Sequence, residues 1–143
     1  MNNKDKIILL VEDNEGDIVL ITDAFEEASI AVTLKIVRNG QDALSFLMKK
    51  NGYENEPRPD LIILDVNLPR LNGHEVLKVI KEDEDLRRIP VVMLTTSSSP
   101  SDINRSYQNH VNCYITKPVD VDDFMKAVVS IESFWINIVE LPS

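Results

Sequence analysis

The sequence predicts an α/β protein, a doubly wound parallel sheet with helices on both faces. Two observations lead there. Short uninterrupted apolar runs recur along the chain, each stopped by a polar residue, and stretches with helical spacing separate them. Apolar runs of four or five residues suit strands buried on both faces of a parallel sheet. Regular alternation with short connections suits crossover units wound on both sides of that sheet.

In chain order, the first strand is Ile7–Val11 and the first helix Asp17–Ala28, with Ile18, Ile21, Ala24, Phe25 and Ala28 on one face. Val32–Val37 alternates and reads as a weaker strand. Gln41–Lys49 is helical through Ala43, Leu44 and Leu47. Asn51–Pro59, with Gly52, Pro57 and Pro59, reads as a long ordered surface loop. Leu61–Leu64 is the third strand, Gly73–Lys81 the third helix through Val76, Leu77 and Ile80, and Val91–Leu94 the fourth strand. Ser101–Asn109 is the thinnest helical pattern, carrying only Ile103 and Tyr107. Cys113–Thr116 is the fifth strand, and a last helix runs from about Val121 to Val139.

The chain of 143 residues is about one domain in length, and no separate output domain is expected after the last helix. Its 15 Lys and Arg stand against 24 Asp and Glu, a net charge of −9 that disfavours nucleic acid as a partner. Lys78, Lys81, Arg87 and Arg88 cluster, but Glu82, Asp83, Glu84 and Asp85 are interleaved, as in a solvated helix end and loop. One cysteine, Cys113, excludes an intrachain disulfide. No apolar run approaches the roughly 20 residues of a membrane helix, and the first run is too short for a signal peptide. The expected location is cytoplasmic.

In a doubly wound sheet, ligands sit outside the carboxyl ends of the strands. The residues there are Glu12 and Asp13, Asp65, Thr95 and Lys117. Three converging carboxylates repel unless a cation lies among them. Mg²⁺ fits, because it takes a few carboxylates and keeps waters and phosphate oxygens. Lys117 adds a positive charge and Thr95 a hydroxyl donor. Together they form a site for phosphoryl transfer to Asp65, the nucleophile. Each residue also has a local reading alone: helix capping for Glu12 and Asp13, a turn for Asp65, a loop hydroxyl for Thr95, a loop stop for Lys117-Pro118. Their joint placement at the ends of four strands favours the site. His74 and His110 are expected at the surface.

Four segments resemble the response-regulator receiver family: Ile7–Asp13, Leu61–Gly73, Pro90–Thr96 and Tyr114–Pro118, within a match spanning about Lys6 to Ser133. The resemblance implies a flavodoxin-like three-layer fold with five strands in the order 2-1-3-4-5 and five helices. It implies that Asp65 accepts a phosphoryl group from a phosphohistidine of a sensor histidine kinase. Asp13 and Asp65 would ligate Mg²⁺ directly, Glu12 largely through water, and Asn67 through its backbone carbonyl. Lys117 would pair with the phosphoryl group, and its bond to Pro118 would be cis. Thr95 and Tyr114 look like the family's switch pair, with Thr96 a competitor for the Thr95 role. Such a domain catalyses only its own phosphorylation and dephosphorylation.

The tail is apolar beyond one face. Phe124, Val128, Ile131, Trp135 and Ile138 form a stripe, and Met125, Phe134 and Ile136 lie off it. Such residues either cover the sheet edge within the monomer or, the reading favoured here, form a homodimer built on about residues 121–143, with Phe134, Trp135 and Ile138 at the interface. Ile131–Trp135, Leu141-Pro142, His110–Tyr114 and the Asn51–Pro59 loop resemble the single-domain receivers associated with bacterial phytochromes, which makes a phytochrome-type kinase a candidate partner. Two other readings compete. One is a receiver-shaped binding module that is never phosphorylated. The other is a haloacid-dehalogenase-like phosphatase, but that class needs a carboxylate two residues after the nucleophile, where this chain has Asn67.

Overall fold

The structure, a computed structural model, describes residues 6–28, 31–96 and 113–131. Five parallel strands, β1 (Lys6–Val11), β2 (Val32–Val37), β3 (Leu61–Asp65), β4 (Val91–Thr95) and β5 (Cys113–Thr116), form one sheet in the order β2-β1-β3-β4-β5. The described helices are α1 (Glu15–Glu27), α2 (Gly40–Met48), α3 (Gly73–Glu82) and α4 (Val121–Val129), with a 3₁₀ turn at Leu86–Arg88. The expected order 2-1-3-4-5 is the observed one. The helix expected at 101–109 lies outside the described residues, as do His110, Phe134, Trp135 and Ile138.

Alternation along the strands sends side chains to two cores. Leu9, Val11, Ile62, Leu64, Val91 and Met93 face α2 and α3, and pack on Phe46, Val76, Leu77 and Ile80. Ile8, Leu10, Leu61, Ile63, Val92 and Leu94 face α1 and α4, and pack on Ile21, Phe25, Phe124 and Val128. Every residue of β3 and β4 is buried, which is why these strands read as unbroken apolar runs. The Phe25 and Phe124 rings meet edge to face, with centroids 5.7 Å apart, and tie α1 to α4.

Each described helix opens on an Asn or Asp N-cap: Asn14, Asn39, Asn72 and Asp120. Each cap side chain accepts the N–H of an acidic residue three positions on, Asp17, Asp42, Glu75 and Asp123. The helices therefore begin one or two residues earlier than apolar spacing alone suggests, at Glu15 and Gly40.

Two expectations are corrected. His74 is not a surface residue: it is 4% exposed, on the face of α3 that carries Leu77 and Ile80 inward. The last helix does not run to about Val139, because α4 ends at Val129. Ser130 caps it by donating its hydroxyl to the carbonyl of Ala127, and Ile131 bonds back to Val128, tightening the last turn. Phe124, Val128 and Ile131 of the expected stripe are buried, and Met125 packs beside them. Among the described residues, no helix is long and apolar enough to cross a membrane.

Candidate functional site at the strand ends

The carboxyl ends of β1, β3, β4 and β5 are held in line by hydrogen bonds that continue the sheet past the strands. Glu12 N–H bonds Val37 O, Val66 N–H bonds Leu94 O, and Lys117 N–H bonds Thr95 O at 2.6 Å. Glu12, Asp65, Thr95 and Lys117 are thereby presented at one edge, as the sequence suggested. α3 must also come close. A Cβ on Gly73 would meet Val66 Cα at 2.7 Å and the carbonyl of Asp65, so only glycine lets the helix start so near the site strand.

Glu12 is fully buried and Asp65 is 1% exposed, whereas Asp13 is exposed. One ligand oxygen from each of these three carboxylates lies within 4.8 Å of the other two. Lys117 reaches into this negative cluster. Its Nζ is 2.8 Å from Glu12 Oε1, 3.0 Å from Asp17 Oδ2 and 3.2 Å from Asp65 Oδ2. Burial pushes the Glu12 carboxyl up to about 7, opposed by the Lys117 ammonium and reinforced by Asp65. The Lys117 ammonium is held well above the ordinary lysine range: burial alone would lower it, but Glu12, Asp17 and Asp65 outweigh that cost.

The local alternatives for these residues resolve. The cap of α1 is Asn14, not Glu12 or Asp13. Glu12 Oε2 accepts Asn14 N–H at 3.1 Å. Its Oε1 approaches Lys117 off the direction of a hydrogen bond, and so remains a buried acceptor. Asp65 Oδ1 accepts Asn67 N–H at 3.1 Å. The set fits a divalent cation, because the carboxylates outnumber the single ammonium and oxygen acceptors of this kind suit a hard ion.

Thr95 is fully buried at the end of β4, while Thr96 is exposed and accepts a hydrogen bond from Asn67 Nδ2 at 3.0 Å. Tyr114, on edge strand β5 and paired in register with Met93, is partly buried against the α2–α3 core. The Lys117–Pro118 bond is cis, as expected. Sequence reasoning missed Asp17, which it read only as the start of a helix. The one signal for it is its place one helical turn after Asp13, at the opening of α1.

Comparisons with known proteins agree with this geometry. Residues 8–129 match the response regulator receiver domain. The response regulator Rcp1 of Synechocystis sp. is 49% identical over 142 residues, which span 99% of this chain and 97% of that protein. The crystal structure of the phosphorylated cyanobacterial phytochrome response regulator RcpA is 47% identical, with a TM-score of 0.81 over 97% of this chain and 99% of that one. The Mn²⁺-bound form of Rcp1 superposes with a TM-score of 0.81 at 49% identity, over 96% of this chain and 99% of that one. With its strand order, strand-end carboxylates and matched residues all in agreement, the chain belongs to the response regulator receiver family of two-component phosphorelays.

Proposed function

We propose that Asp65 is the phosphoacceptor and that its phosphorylation switches what this domain binds. The observation that carries this reading is the buried Asp65 carboxylate, which shares one cluster with Glu12 and Asp13 and lies 3.2 Å from the Lys117 ammonium. The donor is a phosphohistidine on a partner sensor histidine kinase. A carboxylate oxygen of Asp65 attacks phosphorus in line, the P–N bond breaks, and the imidazole leaves with the bonding pair and takes up a proton. Lys117 offsets charge on the phosphoryl oxygens, and the Thr95 hydroxyl donates to one of them. Asp13, Asp65 and the backbone carbonyl of Asn67, with Glu12 largely through water, would hold Mg²⁺, which would neutralise charge shared between Asp65 and the incoming group. The domain catalyses its own phosphorylation and dephosphorylation only.

Output follows from coupling Thr95 to Tyr114. Thr95 turned toward the phosphoryl group vacates space on the face where Tyr114 packs, and that shifts a two-state equilibrium of the β4–β5 edge. The likeness to RcpA and Rcp1 makes a phytochrome-type kinase the first partner to test. The apolar tail supports a homodimer through Phe134, Trp135 and Ile138. Replacing Phe134 and Trp135 by Ala is expected to halve the mass seen by light scattering, and a monomeric wild type refutes the dimer.

Intact-mass spectrometry after incubation with acetyl phosphate and Mg²⁺ tests the core of this reading. One phosphoryl adduct is expected in the wild type and none in Asp65→Asn or without a divalent cation. No adduct in the wild type overturns the proposal.

A further inference from the structure

A Glu or Gln at the third position of a helix can turn back to accept the N–H of the cap residue. Glu75 does so in α3: its Oε1 accepts Asn72 N–H at 3.1 Å while Asn72 Oδ1 accepts Glu75 N–H at 3.0 Å. Asp17 holds the same position in α1, and Asn14 Oδ1 accepts its N–H at 2.9 Å. Asp17 makes no return bond, as Asp42 and Asp123 make none, and Asn14 N–H is taken by Glu12 Oε2. The Asp17 carboxylate points instead at Lys117, 3.0 Å from Nζ. It is not one of the three carboxylates that converge as a cation site.

We propose that Asp17 is a positioning residue, which keeps the Lys117 ammonium at the mouth of Asp65 when a divalent cation claims Glu12 and Asp65. This inference rests on the reading of Asp65 as phosphoacceptor. A lysine ammonium has three donors on a flexible four-carbon stem. In the metal-free site the ammonium donates to Asp65 and lies within ion-pair distance of Glu12 and Asp17. A bound cation draws on two of those three partners, and Asp17 is the one left. Held by Asp17, the lysine is oriented before the phosphoryl group arrives, and its remaining donors are free for phosphoryl oxygens.

The test compares wild type, Asp17→Ala and Asp17→Asn for the initial rate of adduct formation from acetyl phosphate at saturating Mg²⁺. Asp17→Ala is expected to slow the rate about tenfold, in line with loss of one hydrogen bond between charged groups. Asp17→Asn, uncharged but of the same shape, keeps the comparison decisive if the alanine variant unsettles the helix start, and is expected to slow it by a smaller factor. A merely structural role would not move the Lys117 ammonium resonance in ¹⁵N-resolved spectra. That signal is expected to persist in Mg²⁺-loaded wild type, to vanish in Mg²⁺-loaded Asp17→Ala, and to survive in both proteins without metal. A wild type that is phosphorylated at the same rate as both variants, with the signal unchanged, overturns this inference and leaves the Asp65 reading standing. A wild type that forms no adduct overturns the Asp65 reading itself, and this inference with it.

Discussion

The amino ends of α1 and α3 follow the two strands whose ends carry the carboxylate cluster, and both are written in one local code: asparagine cap, acid three residues on. They are used differently. In α3 the code closes on itself, with Asn72 and Glu75 each bonding the other's backbone. In α1 the code is opened by long-range partners: Glu12 takes the cap N–H and Lys117 takes the Asp17 carboxylate. Related caps thus stabilise a helix at one end of the site and arrange charge at the other. The longer Glu closes the box in α3, whereas Asp closes none in α1, α2 or α4; what sets α1 apart is the lysine that follows β5.

Glycine gives the largest expected contrast. Gly73→Ala drives a Cβ into the Asp65–Val66 backbone and is expected to destabilise the protein by about 3 kcal/mol in urea melts. Gly16→Ala at the start of α1 would meet only Asn14 Oδ1, at 3.2 Å, and is expected to stay within about 0.5 kcal/mol of the wild type. Equal costs at the two glycines would remove the claim that α3 alone is pressed onto the site strand.

Caps come next. Asn72→Ala should cost about 1 kcal/mol and leave the phosphorylation rate unchanged within about twofold. Glu75→Ala should cost less, about 0.5 kcal/mol, again without a kinetic effect. A rate loss in Glu75→Ala matching that in Asp17→Ala would erase the distinction between the two helix starts.

A further contrast is one of pH. Burial raises Glu12 from an ordinary 4.5 to about 7, so the folded, metal-free protein binds a proton that the unfolded chain has released. The stability linked to that proton is fully present below about pH 4.5 and is lost as pH rises through about 7. The difference in urea midpoint between wild type and Glu12→Gln should therefore shift against the wild type across that window without metal, and flatten when Mg²⁺ is added. A difference that moves the other way would contradict the buried, crowded setting assigned to Glu12.

Much of this arrangement was legible in the chain. Strands β3 and β4 are buried on both faces, so their apolar runs stop where the site begins, at Asp65 and Thr95. Glu12 and Lys117 follow strands in the same way. What was not legible depends on approach through space. The Asp17 contact joins residues from opposite parts of the chain, and no spacing rule within α1 reports it. His74 reads as a surface residue by its polarity, whereas helical phase puts it on the face of Leu77 and Ile80, where it is buried. The last helix looked continuous because its apolar residues continue past Ser130, and apolar spacing carries no stop signal where a serine hydroxyl caps the turn.

The identity of the phosphoacceptor is tested most directly by reductive trapping. Borohydride converts an aspartyl phosphate to homoserine, and peptide mass spectrometry then reads which residue carried it. After acetyl phosphate and Mg²⁺, homoserine is predicted at position 65 alone and is predicted to be absent in Asp65→Asn. Homoserine at position 13, or a phosphoryl adduct that persists in Asp65→Asn, would contradict the account.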